Sequence, residues 1–303
     1  MTYAFRPDQP FTDDFRAIAA EQLTQAVATL QDRPDGVHEA IHNARKNFKR
    51  LRALYRLVAA DAPHFQNYEN ARIRGMARNL SAVRDAAALV ENAHYLRTTA
   101  GNDDEEKALS HVCAHLTTRR DRIAAAATDI EDRIAATIVN CEQALGALGQ
   151  VTFDDRRRKT ADRLTKGWQR TLKRAGRARE ACGATAEATA FHELRKRAQD
   201  YRMYLGLMRE AWPSAMQAKR SETKALVDTL GHLHDLAVMT QLINEDPALV
   251  GNSQDQAHLI AVVIARQEIL RTDALKLATV VFQEEPERES QAVRLLWLKA
   301  GRD

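Results

Sequence analysis

Apolar residues recur three and four positions apart along almost the whole chain. Phe15, Ile18, Ala19, Leu23, Ala26, Val27 and Leu30 set the pattern, which is the spacing of one helix face. It predicts a first helix that stops at the turn Pro34-Asp35-Gly36. The pattern resumes from about Val37 to Ala60, ahead of Ala62-Pro63, and again from Tyr68 to about Thr98. After the turn and helix-start signal Gly101-Asn102-Asp103-Asp104, it runs from Glu105 to about Leu148. Gly149 to Phe153 reads as a connector, followed by helices near 155–182, 187–211, 214–244, 255–284 and 289–299. No stretch alternates with period two for long enough to make a strand. The longest apolar run, about Leu259–Ala265, is far short of the ~18 residues needed to span a bilayer.

Composition agrees with an all-α reading. Gly and Pro together number only 19 of 303 residues, about half the usual share of roughly 12%, so tight turns are few. The apolar fraction of 45% excludes a wholly disordered chain. The three cysteines, Cys113, Cys141 and Cys182, lie far apart with no metal-ligand spacing. An odd, sparse set suits a reducing compartment, and the N-terminus lacks a basic-then-apolar leader pattern. The expected location is the cytoplasm, with no membrane association.

A repeat organises the chain. His42-Asn-Ala-Arg45-Lys46 matches His192-Glu-Leu-Arg195-Lys196 at an offset of 150. At the same offset Arg52 matches Arg202, Ala62-Pro63 matches Trp212-Pro213, and Leu80-Ser-Ala-Val-Arg84-Asp85 matches Leu230-Gly-His-Leu-His234-Asp235. Self-similarity of this kind marks a duplicated unit. The expectation is two pseudo-symmetric four-helix bundles, residues 8–150 and 151–300, related by a pseudo-twofold axis.

Charge is distributed unevenly. The net charge is +4, yet Arg156 to Arg179 holds eleven basic residues and one acid, Asp162. On a wheel of about 100° per residue, His42, Arg45, Lys46, Lys49, Arg52 and Arg56 share a face about 120° wide. Ala40, Ala44, Phe48, Leu51, Tyr55 and Val58 lie opposite. His192, Arg195, Lys196 and Arg202 repeat this face more weakly, because Gln199 and Asp200 replace Lys49 and Arg50. A third stripe carries Arg156, Lys159, Arg163, Lys166, Arg170, Arg174 and Arg177, with Lys173 at its edge.

A lone charged stripe is ordinarily a solvated surface. Solvated faces mix signs, since like charges at i, i+4 repel by a few tenths of a kcal/mol. Same-sign charge on three helices, two of them repeat mates, points instead to a polyanion. The stripes contain no aromatic residue on which bases could stack, and no zinc-finger, RNA-recognition or phosphate-loop motif is present. Nucleic acid is therefore disfavoured, and a ligand that offers only phosphates is favoured.

The pattern His42-x-x-Arg45-Lys46…Lys49-Arg50-Leu51-Arg52, its partial copy over 192–202, and Leu80-x-x-x-Arg84-Asp85 resemble the CHAD family, the conserved histidine α-helical domain. The resemblance covers nearly the whole chain, as one domain over residues 1–303. It implies two helical bundles with internal symmetry that bind inorganic polyphosphate in a basic groove or cavity, including in polyphosphate granules. It also implies a binding module rather than an enzyme, without cofactor, metal or catalytic residues. The matched positions are His42, Arg45, Lys46, Lys49, Arg50, Arg52, His192, Arg195, Lys196 and Arg202. The candidate set is completed by Arg56, Arg84, Arg163, Lys166, Arg170 and Lys173. Members of the family are often fused to a triphosphate-tunnel domain bearing Glu-x-Glu-x-Lys. That triplet is not found here, where Glu285-Pro-Glu287-Arg-Glu289 comes nearest, so a stand-alone domain is expected.

The same residues admit three other readings. His38-Glu-Ala-Ile-His42 spells the zinc-protease pattern, but strongly basic turns follow it and the repeat accounts for His42 alone. His234-Asp235 resembles the dyad of helical metal-dependent phosphohydrolases, with His192 and Asp255 or Asp273 as further ligands. Yet the repeat mate of His234 is Arg84, which is no such ligand. The third reading is a helical scaffold for an acidic protein or nucleic acid. His111 and His115 read as a solvated pair and the cysteines as small buried residues.

Overall fold

The fold follows from a computed structural model that describes residues 3–126, 128–246 and 253–300, leaving aside the side chains of 82–85 and 124. The described residues form eleven α-helices and one short 3-10 turn, with no strand. In the first half these are α1 (Phe11–Asp32), α2 (Val37–Leu57), α3 (Pro63–Asn79), α4 (Ser81–Arg97), α5 (Asp103–Ala126) and α6 (Ile130–Leu148). In the second they are α7 (Arg157–Thr185), α8 (Ala188–Leu207), α9 (Pro213–Glu245), α10 (Ser253–Val281) and α11 (Pro286–Ala300). None of the described helices is long and apolar enough to cross a membrane.

Local chemistry sets the boundaries. Asp13 and Asp14 sit in the first turn of α1, where the helix dipole favours negative charge. The turn to α2 needs left-handed backbone at Arg33 (φ 45°) and Gly36 (φ 85°), and Gly36 adopts it without strain. Pro63 and Pro213 each open a helix, at the position where a missing N–H costs nothing.

Two long predicted helices are broken. The 68–98 segment becomes α3 and α4, which meet at Leu80 (φ −97°, ψ 11°). The break is held by distant partners. The Asn79 amide donates to the Arg133 carbonyl at 3.0 Å and to Thr137 Oγ1 at 3.4 Å, and Arg45 donates to the Ala77 carbonyl. The 105–148 segment becomes α5 and α6. Asp129 flanks the start of α6 and binds Arg133 at 2.7 Å.

Packing runs α1 on α2 and α6, α2 on α3, and α4 on α5; likewise α7 on α8 and α11, α8 on α9, and α9 on α10. A single connected set of buried residues reaches from Phe5 to Trp297. Phe11, Phe15, Tyr55 and Phe65 of the first half form an aromatic cluster with Phe153 of the connector, with ring centroids 5.1–6.2 Å apart. In the second, Trp168 Nε1 and the Tyr201 hydroxyl both donate to Glu289 Oε1 at 2.8 Å. Lys219 balances that buried carboxylate at 3.2 Å. The three cysteines are buried thiols, and burial pushes Cys141 up to about 12 and Cys182 to about 11.

The halves meet where α2 lies against α7 and α8, and again where α5 lies on α10 and α4 on α9. Gly167 of α7 permits the closest approach. A Cβ there would overlap the Leu57 carbonyl oxygen and stand 2.7 Å from Leu57 Cδ1.

Candidate functional site

The apolar stripe of α2 is buried through Ala40, Ile41, Ala44, Phe48, Leu51 and Tyr55. Its cations must therefore face away from that core. At the seam they meet the polar face of α8. Arg45, Lys49, Arg52 and Arg56 line one side of a groove of about 280 Å³; His192, Arg195, Lys196, Gln199 and Met203 line the other, with His234 of α9. Of the motif mates, Arg45 and Arg195 share this cavity, while His192, Lys196 and Arg52 line it without His42, Lys46 and Arg202.

One acid belongs to this lining. Asp200 is buried and accepts from Arg56 at 2.6 Å and Arg197 at 3.3 Å. It binds α8 to α2 and supports two guanidinium groups. Arg52 Nε donates to Asn70 at 2.9 Å, and Arg45 donates to the Ala77 carbonyl. Arg195 stands 3.8 Å from Asp235. Lys196 pairs with Glu193. Several of these bonds fix a cation's direction while leaving the groove with an excess of positive charge.

The titrating groups register that excess. Burial, with Arg56 and Arg74 close by, pushes Arg52 down to about 10. Burial also lowers Arg195. His192 is lowered by burial and then by Lys196 and Arg195, against Glu193. His234 falls to about 4 through burial, Arg195, His192 and Lys49. The two imidazoles lie together, ring centroids 4.5 Å apart, and are neutral at pH 7 without an anion.

Past Met203 lies a second basin of about 240 Å³, lined by Arg50, Arg202, Arg209 and Arg220 with Tyr3 and Gln22. Met203 lines both hollows. Arg50 is oriented by Gln22 Oε1 at 3.2 Å and lies over the Tyr3 ring. Arg220 is lowered by burial and then by Arg202, Arg50 and Arg209.

The other sequence candidates lie elsewhere. His42 is half-buried and Lys46 is exposed, bonded to Asn43 Oδ1 at 3.0 Å; neither lines the groove. The Arg84 side chain falls outside the described residues. Arg163 is buried, paired with Asp61 at 2.8 Å and sandwiched by Phe11 and Phe153 at 4.8 and 4.6 Å. Lys173 binds Glu287 of α11 at 2.5 Å. Lys166 is exposed on α7. Arg170 donates to the Arg56 carbonyl, so it braces the groove from behind.

Arg197, Arg209 and Arg220 escaped sequence reasoning. Their repeat mates are Asn47, Ala59 and Asn70, so the repeat gives no signal for them.

The CHAD domain family matches residues 17–244. The chain belongs to the CHAD family. A crystal structure of the CHAD domain from the plant Ricinus communis is similar to it, with TM-score 0.69 and 18% identity, covering 93% of this chain and 95% of that one. At that identity the likeness concerns the CHAD fold alone. No curated protein matches the chain.

The metal-site alternatives find scattered residues. Asp235 stands by Arg195, Asp255 binds His111 at 3.2 Å, and Asp273 is exposed. Among the described residues no three His, Cys, Asp or Glu side chains form a group that could hold a metal.

Proposed function

We propose that this CHAD domain binds inorganic polyphosphate in the groove between α2 and α8 and does not turn it over. The observation that carries the reading is the convergence of Arg45, Lys49, Arg52 and Arg56 with Arg195 and Lys196 on one hollow, whose single acid already serves two arginines. Like charges gathered this closely oppose folding unless an anion offsets them. Arginine bridges phosphate oxygens bidentately and lysine adds a compact charge. The basin beyond Met203 continues the positive path, so a chain longer than the groove meets Arg50, Arg202, Arg209 and Arg220 next. The groove and basin present no flat stack of aromatics, which favours phosphates over nucleic acid.

The two halves follow the same order of packed neighbours, and their first motifs occupy opposite walls of the groove. We read this as two pseudo-symmetric bundles whose mates form a composite site. Arg163 and Lys173 are left out of that site because neither lines the groove and each is engaged with an acid elsewhere.

Binding without turnover follows from the lining. Cations stabilise a bound anion, whereas hydrolysis also needs an activated water. Asp200 and Asp235 are directed at guanidinium groups. Incubation with polyphosphate and Mg²⁺, Mn²⁺ or Zn²⁺ should yield a complex and no released phosphate. Metal-dependent release that vanishes in His234→Ala would replace this reading with the hydrolase.

A further inference from the structure

Behind the groove lies a further, larger hollow of about 490 Å³ between α8, α9 and α10. Its walls are of another kind. Phe191, Leu230, Leu233 and Ala237 give apolar faces, and Thr240, Gln241, Asn244 and Gln267 give hydrogen-bonding groups. His192 and His234 line this hollow and the cationic groove alike. The imidazole pair is therefore the boundary between an apolar, amide-edged chamber and a phosphate-attracting one. His192 Nδ1 at that boundary is buried without a hydrogen-bond partner, which is costly unless a ligand satisfies it.

We propose that the hollow takes the base of a nucleoside polyphosphate, whose phosphates pass the His192–His234 pair into the cationic groove. The inference rests on the reading of the groove as a phosphate site. The volume lies within the roughly 300–1,000 Å³ of small-molecule pockets. The orientation is set by charge. The hollow carries one charge of each sign, Glu245 and Arg271, whereas Arg45, Lys49, Arg52, Arg56, Arg195 and Lys196 face a single acid in the groove, so the phosphates are drawn to the groove. The class of ligand body is set by the amides. Gln241 and Gln267 already donate to Glu245 and Thr240, so a hydrocarbon chain would cover their carbonyl oxygens and the Asn244 amide without pairing them, and each polar group so buried costs about 1–3 kcal/mol. A heterocyclic base presents flat faces to Phe191 and Leu233 and donors and acceptors at its edge. Gln241 Nε2 donates to Glu245 at 2.7 Å, which fixes that amide with its carbonyl oxygen as an acceptor for an exocyclic amine. The His192 imidazole would donate to the phosphate nearest the sugar.

The test compares ATP and CTP with tripolyphosphate, a probe of similar charge that has no base, by calorimetry in Mg²⁺-free buffer. At least one nucleotide is expected to bind ten or more times tighter than tripolyphosphate. Ala237→Trp, which fills the hollow, should bring the nucleotide to the level of tripolyphosphate and leave tripolyphosphate unchanged. Should that variant fail to fold, Gln241→Ala with Gln267→Ala should reduce the nucleotide preference severalfold. Equal affinity of nucleotide and tripolyphosphate in the wild type, or a preference untouched by these substitutions, overturns the inference. A parallel titration with long-chain polyphosphate separates the two failures: if it binds, only the base site is lost, and if it does not, the groove reading fails as well.

Discussion

Arg56 of α2 and Asp200 of α8 stand 2.6 Å apart across the seam between the halves, and Asp200 is almost wholly buried. The acid that weakens the second basic motif in the sequence is thus the clamp that holds the first motif in place. The two roles separate in Asp200→Asn. Losing one partner of a buried pair costs about 3–5 kcal/mol, and less here because Arg56 keeps a quarter of its side chain in water; a loss of about 1–3 kcal/mol in a denaturant titration is expected. Polyphosphate affinity measured on the folded variant should rise, since the groove loses its one negative charge. A fall in affinity would show that the direction Asp200 gives Arg56 outweighs its charge.

Gly167 tests the approach of α2 to α7. Alanine is a better helix former than glycine by up to about 1 kcal/mol, so an unhindered Gly167→Ala would stabilise. Here the new methyl meets the Leu57 backbone, and overpacking costs about 1–3 kcal/mol. A net loss is expected in thermal or denaturant unfolding. A gain would mean the halves separate there without penalty.

Charge reversal distinguishes the groove from the basic surface at large. Lys49→Glu with Arg52→Glu should abolish polyphosphate binding while the helical circular dichroism persists, since both face away from the α2 core. Lys166→Glu should leave affinity within about twofold, and Arg163→Glu should destabilise the chain strongly, because it sets a buried carboxylate between Phe11 and Phe153 and against Asp61.

The histidine pair sets a pH dependence. Both folded-state values are depressed, His234 to about 4, while the unfolded value is near 6.5. Between those values the unfolded chain binds more protons, so stability is full above about pH 6.5 and declines as pH falls towards 4. Bound phosphate reverses the local field among Lys49, Arg195 and Lys196 and draws protons onto the rings. The free protein should melt at lower temperature at pH 5 than at pH 7, while polyphosphate affinity rises. The binding enthalpy should depend on the buffer's ionisation heat, and His192→Gln with His234→Gln should flatten both trends.

The all-α architecture is legible in the sequence because helix-period patterning is local, and Pro63 and Pro213 mark their own boundaries. The break at Leu80 is not legible. Its cause is Asn79 reaching Arg133 and Thr137, 54 and 58 residues away. The same limit applies to the site. A helical wheel finds Lys49, Arg52 and Arg56 on one face, and it also selects Arg163, whose fate is decided by Asp61 and two aromatic rings from other segments. Arg220 joins the basin from α9 with no repeat mate to signal it. What a wheel cannot carry is the partner across the seam, and that partner decides which cations face a ligand.

The most direct test is calorimetric titration with polyphosphates of defined length at several salt concentrations. Each neutralised phosphate contributes a log–log salt slope of about 0.7 by analogy with single strands, so five or six contacts give a slope of about −4. Affinity should rise with chain length until the groove and the basin beyond Met203 are filled, with that slope for the longer chains. Affinity independent of length, with a slope near zero, would contradict a cationic groove as the binding site.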